Sequence, residues 1–323
     1  MRSPVVAGVD GSAESLAAVA WAAREAVRRD LPLHLVHVLD RRTRRREDEI
    51  TRAAQRRLGR SHLTRAEQRA RAECPDVRLS DEQLEGPAVT ALVKAADQAD
   101  TLVLGSRGLS GFTGFLVGSV ALGVVARATR PVVLVRAGER AEDERLLPAD
   151  GGDVEGTDER QPVGRGGVGG DDRGGASAGT GYRDVVVAVD LGDACDEVIE
   201  FAFEAARLRH ARLRAVHAWC AAGPMGLGPG DIALVDRPRQ GEEWQGFLDA
   251  VLRTWCDKYP DVEVLATVVE DRPRTALVRA ASGASLLVVG HRLGDPTPGP
   301  RTGPVTHAVI HHVGCPVAVV PVL

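Results

Sequence analysis

Aromatic residues are scarce in this chain of 323 residues, at 3% of the sequence, whereas hydrophobic residues of all kinds make up 44%. The core must therefore be built from Val, Leu and Ala, which suits buried parallel strands packed under Ala-rich helices. The run from Arg41 to Arg71 holds twelve arginines and no aromatic side chain. Because single-stranded nucleic acids are bound largely by stacking on aromatic rings, we favour a solvated, partly helical face here over a nucleic-acid site.

Long apolar segments and paired cysteines are also missing. No stretch reaches the ~18 apolar residues of a membrane span, and the amino terminus enters a strand without the apolar segment of a signal peptide. The five cysteines are widely spaced with no C-x-x-C pair, so we expect reduced, structural thiols. The net charge of -4 gives no field that would attract nucleic acid or an anionic membrane. We expect a cytoplasmic protein with neither kind of partner.

A low-complexity segment divides the chain. Residues 139–181 are rich in Gly, Asp, Glu and Ser and contain almost no large apolar side chains. Such a composition cannot offset its own ordering entropy, so it predicts a flexible linker. The predicted domains are residues 1–138 and 182–323, each long enough to bury its own core.

The two halves repeat each other in sequence. Asp10 and His37 fall on Asp190 and His217 at an offset of 180 residues. At a later offset of 185 residues, the matched pairs are Gly105 with Gly290, Gly118 with Gly303 and Pro131 with Pro316. In each half, short Val/Leu runs alternate with Ala-rich amphipathic segments, which is typical of βαβ units. The sequence therefore predicts two tandem α/β domains, each a parallel sheet with helices on both faces.

Two glycine-bearing turns follow predicted strands in the first half. Val9-Asp10-Gly11-Ser12 follows the first strand, and Gly105-Ser106-Arg107-Gly108 follows the fourth, ahead of Gly118-Ser119 and a helix. In open parallel sheets, ligands bind outside the carboxyl ends of the strands. Glycines allow close backbone approach, and the amino end of a helix attracts phosphate. These turns predict a site for a phosphorylated ligand.

At these positions the sequence resembles the universal stress protein family, whose nucleotide-binding members carry Gly-x2-Gly-x9-Gly-Ser/Thr after the fourth strand. The motif is present here as Gly105, Gly108, Gly118 and Ser119. The resemblance covers both halves and excludes the linker. It implies Rossmann-like domains of the adenine nucleotide alpha hydrolase-like type, each with a five-stranded parallel sheet. It also implies association through the last strand, as a homodimer or as an intramolecular pseudo-dimer.

The resemblance implies that the first domain binds ATP, or ADP or AMP, and Mg²⁺ could accompany the phosphates. The nucleotide-binding residues it implies are Gly8, Asp10, Val38, Gly105, Arg107, Gly108, Gly118, Ser119 and Val120. The first three would frame the adenosine, the next three would wrap the ribose and phosphates, and the last three would bind phosphate oxygens.

Several of these polar residues have a structural alternative. Asp10 or Ser12 could cap the first helix, and Ser119 could be an N-cap. We interpret His37 and His217 as core residues, because each lies inside an apolar strand. The remaining histidine group, His307, His311 and His312, places two rings on one helix face, but no third ligand is visible and we predict no metal site.

The second half departs from the motif at two positions. Leu293 stands where the first half has Gly108, and Pro304 stands where it has Ser119. Proline has neither an N–H nor a hydroxyl group to offer a phosphate. We therefore expect the second site to be degenerate and the second domain to be structural or regulatory.

The sequence thus predicts a nucleotide-binding stress or regulatory module. The alternatives are a slow ATP hydrolase or adenylyl-transfer enzyme, and a nucleotide-free scaffold for protein contacts. The sequence contains no Gly-x4-Gly-Lys-Ser/Thr motif and no carboxylate–histidine pair beside the glycine-rich loop. We therefore expect slow hydrolysis at most.

Overall fold

The structure is a computed structural model that describes residues 3–39, 49–106, 117–146, 181–193, 195–220, 237–293 and 302–322. The elements of the first domain are β1 (Val5–Gly8), α1 (Ala13–Arg28), β2 (Leu33–Leu39), α2 (Glu49–Glu73), β3 (Leu79–Glu85), α3 (Ala88–Asp97), β4 (Thr101–Ser106), α4 (Ser119–Val125) and β5 (Val132–Arg136). Those of the second are β6 (Val185–Ala188), α5 (Asp196–Arg209), β7 (Leu213–Trp219), α6 (Arg237–Lys258), β8 (Val264–Glu270), α7 (Pro273–Ala280), β9 (Leu286–Arg292), α8 (Pro304–His312) and β10 (Val317–Val322).

The ten strands of the described residues form one sheet, in the order β3-β2-β1-β4-β5-β10-β9-β6-β7-β8. Strands are parallel within each domain, as the register of Val5 with Leu33 and of Val185 with Leu213 illustrates. The domains meet where β5 runs antiparallel to β10. The last strands of the two halves therefore pair within this chain. Because this pairing is antiparallel, the strands of the two domains point in opposite directions, and their carboxyl ends lie on opposite sides of the sheet.

Helices cover both faces of the sheet, as predicted. One buried cluster packs α1 and α5 against the strands through residues such as Trp21 and Phe203. The other packs α3, α4, α7 and α8 through residues such as Leu92 and Ile310. Both clusters draw residues from both domains, so each face of the sheet carries one continuous apolar layer.

Helix α1 illustrates how closely local sequence determines an element. It begins after Ser12, whose hydroxyl accepts a hydrogen bond from the backbone N–H of Ser15 at 3.1 Å. Glu14 in the first turn and Arg28 in the last complement the helix dipole. The capping serine and the Ala-rich sequence thus account for a helix that spans Ala13–Arg28.

The start of the predicted linker differs from the flexible segment that its composition indicated. Ala141–Glu144 form a 3₁₀ helix, and Glu144 is fully buried. Its carboxylate accepts a hydrogen bond from Arg24 Nη2 at 2.9 Å and forms an ion pair with Arg28. Two arginines of α1 therefore hold residues 139–146 in place, which composition cannot reveal. Residues 147–180 lie outside the described part of the chain.

Glu139, in the same segment, should make the free energy of unfolding depend on pH. Burial, together with the neighbouring carboxylates of Asp143 and Glu144, raises the pKa of Glu139 from 4.5 to about 7. The folded state binds the proton of the Glu139 carboxyl more tightly than the unfolded chain does. The free energy of unfolding therefore falls as pH rises from about 4.5 to about 7.

The variant Glu139→Gln mimics the protonated form. We expect it to raise the free energy of unfolding by about 1 kcal/mol at pH 8, after allowance for solvent screening, and to change it little at pH 4, below the ordinary pKa of 4.5. Urea unfolding at the two pH values measures the difference. An equal gain in the free energy of unfolding at both pH values would contradict the raised pKa of Glu139. The variant Glu142→Gln, at an exposed neighbouring residue, serves as the control.

Candidate functional site

The turn after β1 forms one wall of a cleft at the carboxyl edge of the first domain. Asp10 lies exposed, and its Oδ1 accepts hydrogen bonds from both the backbone N–H, at 3.0 Å, and the hydroxyl of Ser12. Gly11 takes a φ of +83°, in the region that favours glycine. Of the two residues that could cap the first helix, Ser12 is the N-cap, whereas Asp10 holds the turn that presents Ser12.

Strand β2 contributes the neighbouring wall. His37 Nδ1 lies 2.7 Å from the carbonyl oxygen of Val9, the residue after β1. The ring is half-buried and lines the cleft, so His37 is not the core residue that its apolar strand predicted. The next residue, Val38, is half-buried and faces the cleft. The floor of the cleft is thus made by the ends of β1 and β2.

Gly105, near the end of β4, is required by packing. A Cβ added there would lie 2.6 Å from the carbonyl carbon of Glu14 and 2.7 Å from the backbone nitrogen of Ser15. The first turn of α1 therefore rests directly on the β4 backbone. The resemblance assigned Gly105 to ligand contact, and the structure adds that only glycine lets α1 approach this closely.

Helix α4 presents its amino end to the cleft. Gly118 is the N-cap and Ser119 is the first helical residue, so Ser119 is not itself the N-cap. Ser119 and Val120 are both exposed. The first N–H groups of a helix have no partner within it, and they carry the positive end of the helix dipole. This end of the cleft can therefore receive an anionic group.

These elements enclose a cleft of about 280 Å³. Seven of the nine predicted site residues line it: Gly8, Asp10, Val38, Gly105, Gly118, Ser119 and Val120. The other two, Arg107 and Gly108, lie outside the described residues. The structure thus brings together every predicted site residue that it describes.

The cleft also includes residues that the sequence did not single out. Leu92 of α3 and Leu104 of β4 supply apolar surface, and Glu14 supplies a carboxylate. The ring of His62, from α2, lies over Gly11 in the turn after β1. A Cβ added at Gly11 would lie 2.6 Å from atoms of the His62 ring. Burial lowers the pKa of His62, and His37 adds to this effect. The sequence pattern of α2 does not predict this contact, because His62 and Gly11 are far apart in the chain and meet only through tertiary packing.

The second domain has a matching cleft of about 270 Å³ at its own carboxyl edge. Asp190 Oδ1 accepts a hydrogen bond from Gly192 N at 3.0 Å, and His217 Nδ1 lies 2.9 Å from the carbonyl oxygen of Val189. The base of the site is therefore repeated. Its helical end differs, because α8 begins with Pro304 at the position of Ser119.

Among the residues that the structure describes, no group of three or more His, Cys, Asp or Glu side chains could hold a metal ion. His307 and His311 do share a helix face, with ring centroids 4.4 Å apart. None of the helices described is long and apolar enough to cross a membrane.

Comparison with known proteins agrees with this architecture. The model of the universal stress protein family matches residues 1–136 and 181–321. The chain belongs to the universal stress protein family. It is 30% identical to the universal stress protein Rv2005c of Mycobacterium tuberculosis, over 98% of this chain and 96% of that protein. It is 29% identical to Rv1996 of the same organism, over 98% and 94%.

Among solved structures, the fold is similar to that of a universal stress protein from Archaeoglobus fulgidus DSM 4304. The TM-score is 0.64 at 16% sequence identity, and the match covers 98% of each chain.

Proposed function

We propose that the first domain binds ATP or a related adenine nucleotide, and that the protein acts as a stress or regulatory module through this site. The observation that carries the proposal is the convergence of seven predicted residues on one cleft. The fold brings the turns after β1 and β4 to the same edge of the sheet, and an open cleft lies between these turns and the exposed amino end of α4. A ligand with an apolar ring at one end and phosphates at the other uses all of them.

The two ends of the cleft differ in the way that such a ligand requires. Val36, Val38 and Leu92 form an apolar surface between β2 and α3. At the other end, Gly118 and Ser119 offer backbone N–H groups and a hydroxyl to phosphate oxygens. The lining also includes two carboxylates, Asp10 and Glu14, which disfavour a phosphate beside them. We therefore propose that the phosphates lie toward α4.

The lining supports binding rather than efficient turnover. Among its described residues, the ionisable side chains are Asp10, Glu14 and His37. His37 Nδ1 is engaged with the Val9 carbonyl oxygen, and Asp10 holds the turn to Ser12. An activated nucleophile needs a base within hydrogen-bond reach of the attacking group. We therefore propose a nucleotide binder whose ATP hydrolysis, where it occurs, is slow.

Titration calorimetry of ATP into the full chain, freed of carried-over nucleotide, tests the proposal. Gly118→Asp places bulk and negative charge at the start of α4, and we expect it to weaken ATP binding by at least about tenfold. Gly303→Asp makes the same change in the second domain and should leave that affinity unchanged. Because Gly303 has a φ of +71°, thermal unfolding checks that this variant folds. Wild-type protein that binds no ATP, or equal loss in both variants, would overturn the proposal.

A further inference from the structure

A further cavity lies where the two domains meet, and it shares none of its lining residues with either cleft. It encloses about 540 Å³, roughly twice the volume of either cleft. One wall is formed by residues 136–139 and Asp143, and the other by residues 281–284 and 312–315 of the second domain. We call it the seam cavity, because it lies beside the pairing of β5 with β10. Ligand sites occur preferentially at such domain interfaces.

Bare backbone keeps the seam cavity open at three points. A Cβ added at Gly138, Gly283 or Gly314 would meet no atom of the described residues within 4 Å. Apolar side chains also line the cavity, and those of Ala284 and Val313 are buried. The cavity therefore has room for a ligand and apolar surface for a short aliphatic chain.

Two guanidinium groups line the seam cavity. Arg136 ends β5 and Arg183 lies just ahead of β6, and both are half-buried. Burial lowers the pKa of Arg136, so its charged form is disfavoured in these surroundings. A carboxylate beside these groups would favour the charged form and accept charge-assisted hydrogen bonds from it. This part of the lining suits an anionic group.

The same cavity also has negative groups in its walls. Helix α7 ends at Ala280 and α8 ends at His312, so the carboxyl ends of two helix dipoles meet the lining. The last carbonyl groups of a helix have no partner within it and can accept hydrogen bonds from a cation. Glu139 lines the cavity as well, and burial raises its pKa to about 7. An ammonium group beside Glu139 would favour its ionised form.

We infer that the seam cavity binds a small zwitterion of the aliphatic α-amino acid type, with its carboxylate at Arg136 and Arg183 and its ammonium at Glu139 and the carboxyl ends of α7 and α8. A simple anion would meet the helix carboxyl ends, and a simple cation would meet the guanidinium groups. A ligand that carries both charges satisfies both sets of groups. It would contact both domains at once, and the inference is independent of nucleotide binding in the first cleft.

Three related compounds test the two charges on the unaltered full chain. L-leucine carries both charges, isocaproate lacks the ammonium group, and leucinamide lacks the carboxylate. We expect leucine to bind at least about tenfold more tightly than either analogue, because each analogue leaves one set of charged groups without a partner. Titration calorimetry measures the three affinities. Absence of leucine binding at millimolar concentration, or an analogue that binds as tightly as leucine, overturns the inference.

Two variants test the residues. Glu139→Gln removes the carboxylate that would face the ammonium group, and Arg183→Gln removes one guanidinium that would face the carboxylate. We expect each to weaken leucine binding at least about fivefold. The controls are Glu142→Gln and Arg279→Gln, at exposed residues outside the cavity lining, and they should leave the affinity unchanged. Thermal unfolding checks that each variant folds. Unchanged affinity in Glu139→Gln, or an equal loss in the controls, contradicts the inference.

The affinity for leucine should also depend on pH. Because Glu139 must be ionised to face the ammonium group, we expect leucine to bind several-fold more tightly at pH 8 than at pH 6. The ionisable groups that face Glu139 are Asp143, Glu144, Arg24, Arg183 and the thiol of Cys315. Burial raises the pKa of Cys315 to about 12, so this thiol stays protonated at both pH values.

The Glu139→Gln variant assigns this pH dependence to its residue. It leaves His312, which also lines the cavity, in place. We expect the variant to lose most of the difference in leucine affinity between pH 6 and pH 8. Equal affinities of the wild type at the two pH values, or a difference that Glu139→Gln retains in full, would overturn the placement of the ammonium group and with it the inference.

Discussion

Glu25→Ala is expected to lower the free energy of unfolding by about 3–5 kcal/mol, the cost of leaving a buried charge without its partner. Glu25 is 1% exposed, and its Oε2 accepts a hydrogen bond from Arg209 Nη2 at 2.7 Å, with Arg209 fully buried. Its Oε1 accepts another from Arg29 Nε at 2.7 Å. Burial alone would raise the pKa of Glu25, but these arginines together with Arg28 bring it well below its usual range.

Urea unfolding followed by circular dichroism measures the effect. The double variant Glu25→Ala/Arg209→Met should recover most of the lost stability, because it removes the uncompensated guanidinium. Glu200→Ala is the surface control, since Glu200 pairs with Lys258 where both side chains are about half exposed. Such a pair is screened by solvent and contributes little to stability. A Glu25→Ala variant as stable as the Glu200→Ala control would contradict the role of the buried pair.

The same ion pair explains why the domains should unfold together. Glu25 belongs to α1 of the first domain and Arg209 to α5 of the second. The Arg209 guanidinium also lies over the ring of Trp21, 5.6 Å from its centroid. Together with the pairing of β5 and β10, these contacts join the two cores across one sheet. We therefore expect a single unfolding transition, which the urea titration also reports.

The repeat and the strand–turn–helix pattern made the fold and the position of the cleft predictable. A turn that follows a strand of a parallel sheet lies at its carboxyl edge, so Asp10, Gly105 and Gly118 had to come close together once their strands were identified. The boundaries of α1 followed from a serine cap and an alanine-rich face. These are local signals that a sequence carries directly.

The contacts made by charged residues were not predictable in this way. Glu144 lies in a segment whose composition indicated a flexible linker, and its partners Arg24 and Arg28 are more than a hundred residues away in sequence. Nothing in the pattern of α1 reveals which of its arginines turn inward. His62 is a similar case, since its place over Gly11 depends on how α2 packs on the first domain. Such pairings are determined by tertiary packing.

Gly105→Ala is expected to lower the free energy of unfolding by about 2–3 kcal/mol, although it adds a single methyl group. The new Cβ would lie 2.6 Å from the carbonyl carbon of Glu14, and backbone atoms cannot move aside as a flexible side chain can. Either β4 or the start of α1 must shift. Both border the cleft, so ATP affinity should fall together with stability.

The second domain provides the matched control. At Gly290, the equivalent position, an added Cβ would meet side-chain atoms, with Val198 Cγ2 at 3.2 Å and Val322 Cγ2 at 3.4 Å. These methyl groups can give way by a few tenths of an ångström, so Gly290→Ala should cost less than about 1 kcal/mol. Parallel urea titrations and ATP calorimetry compare the two variants. Equal losses of stability in the two variants would mean that α1 does not pack on β4 as closely as the structure indicates. A large loss in Gly105→Ala alone, together with weaker ATP binding, would show that the shape of the first cleft depends on the packing of α1 against β4.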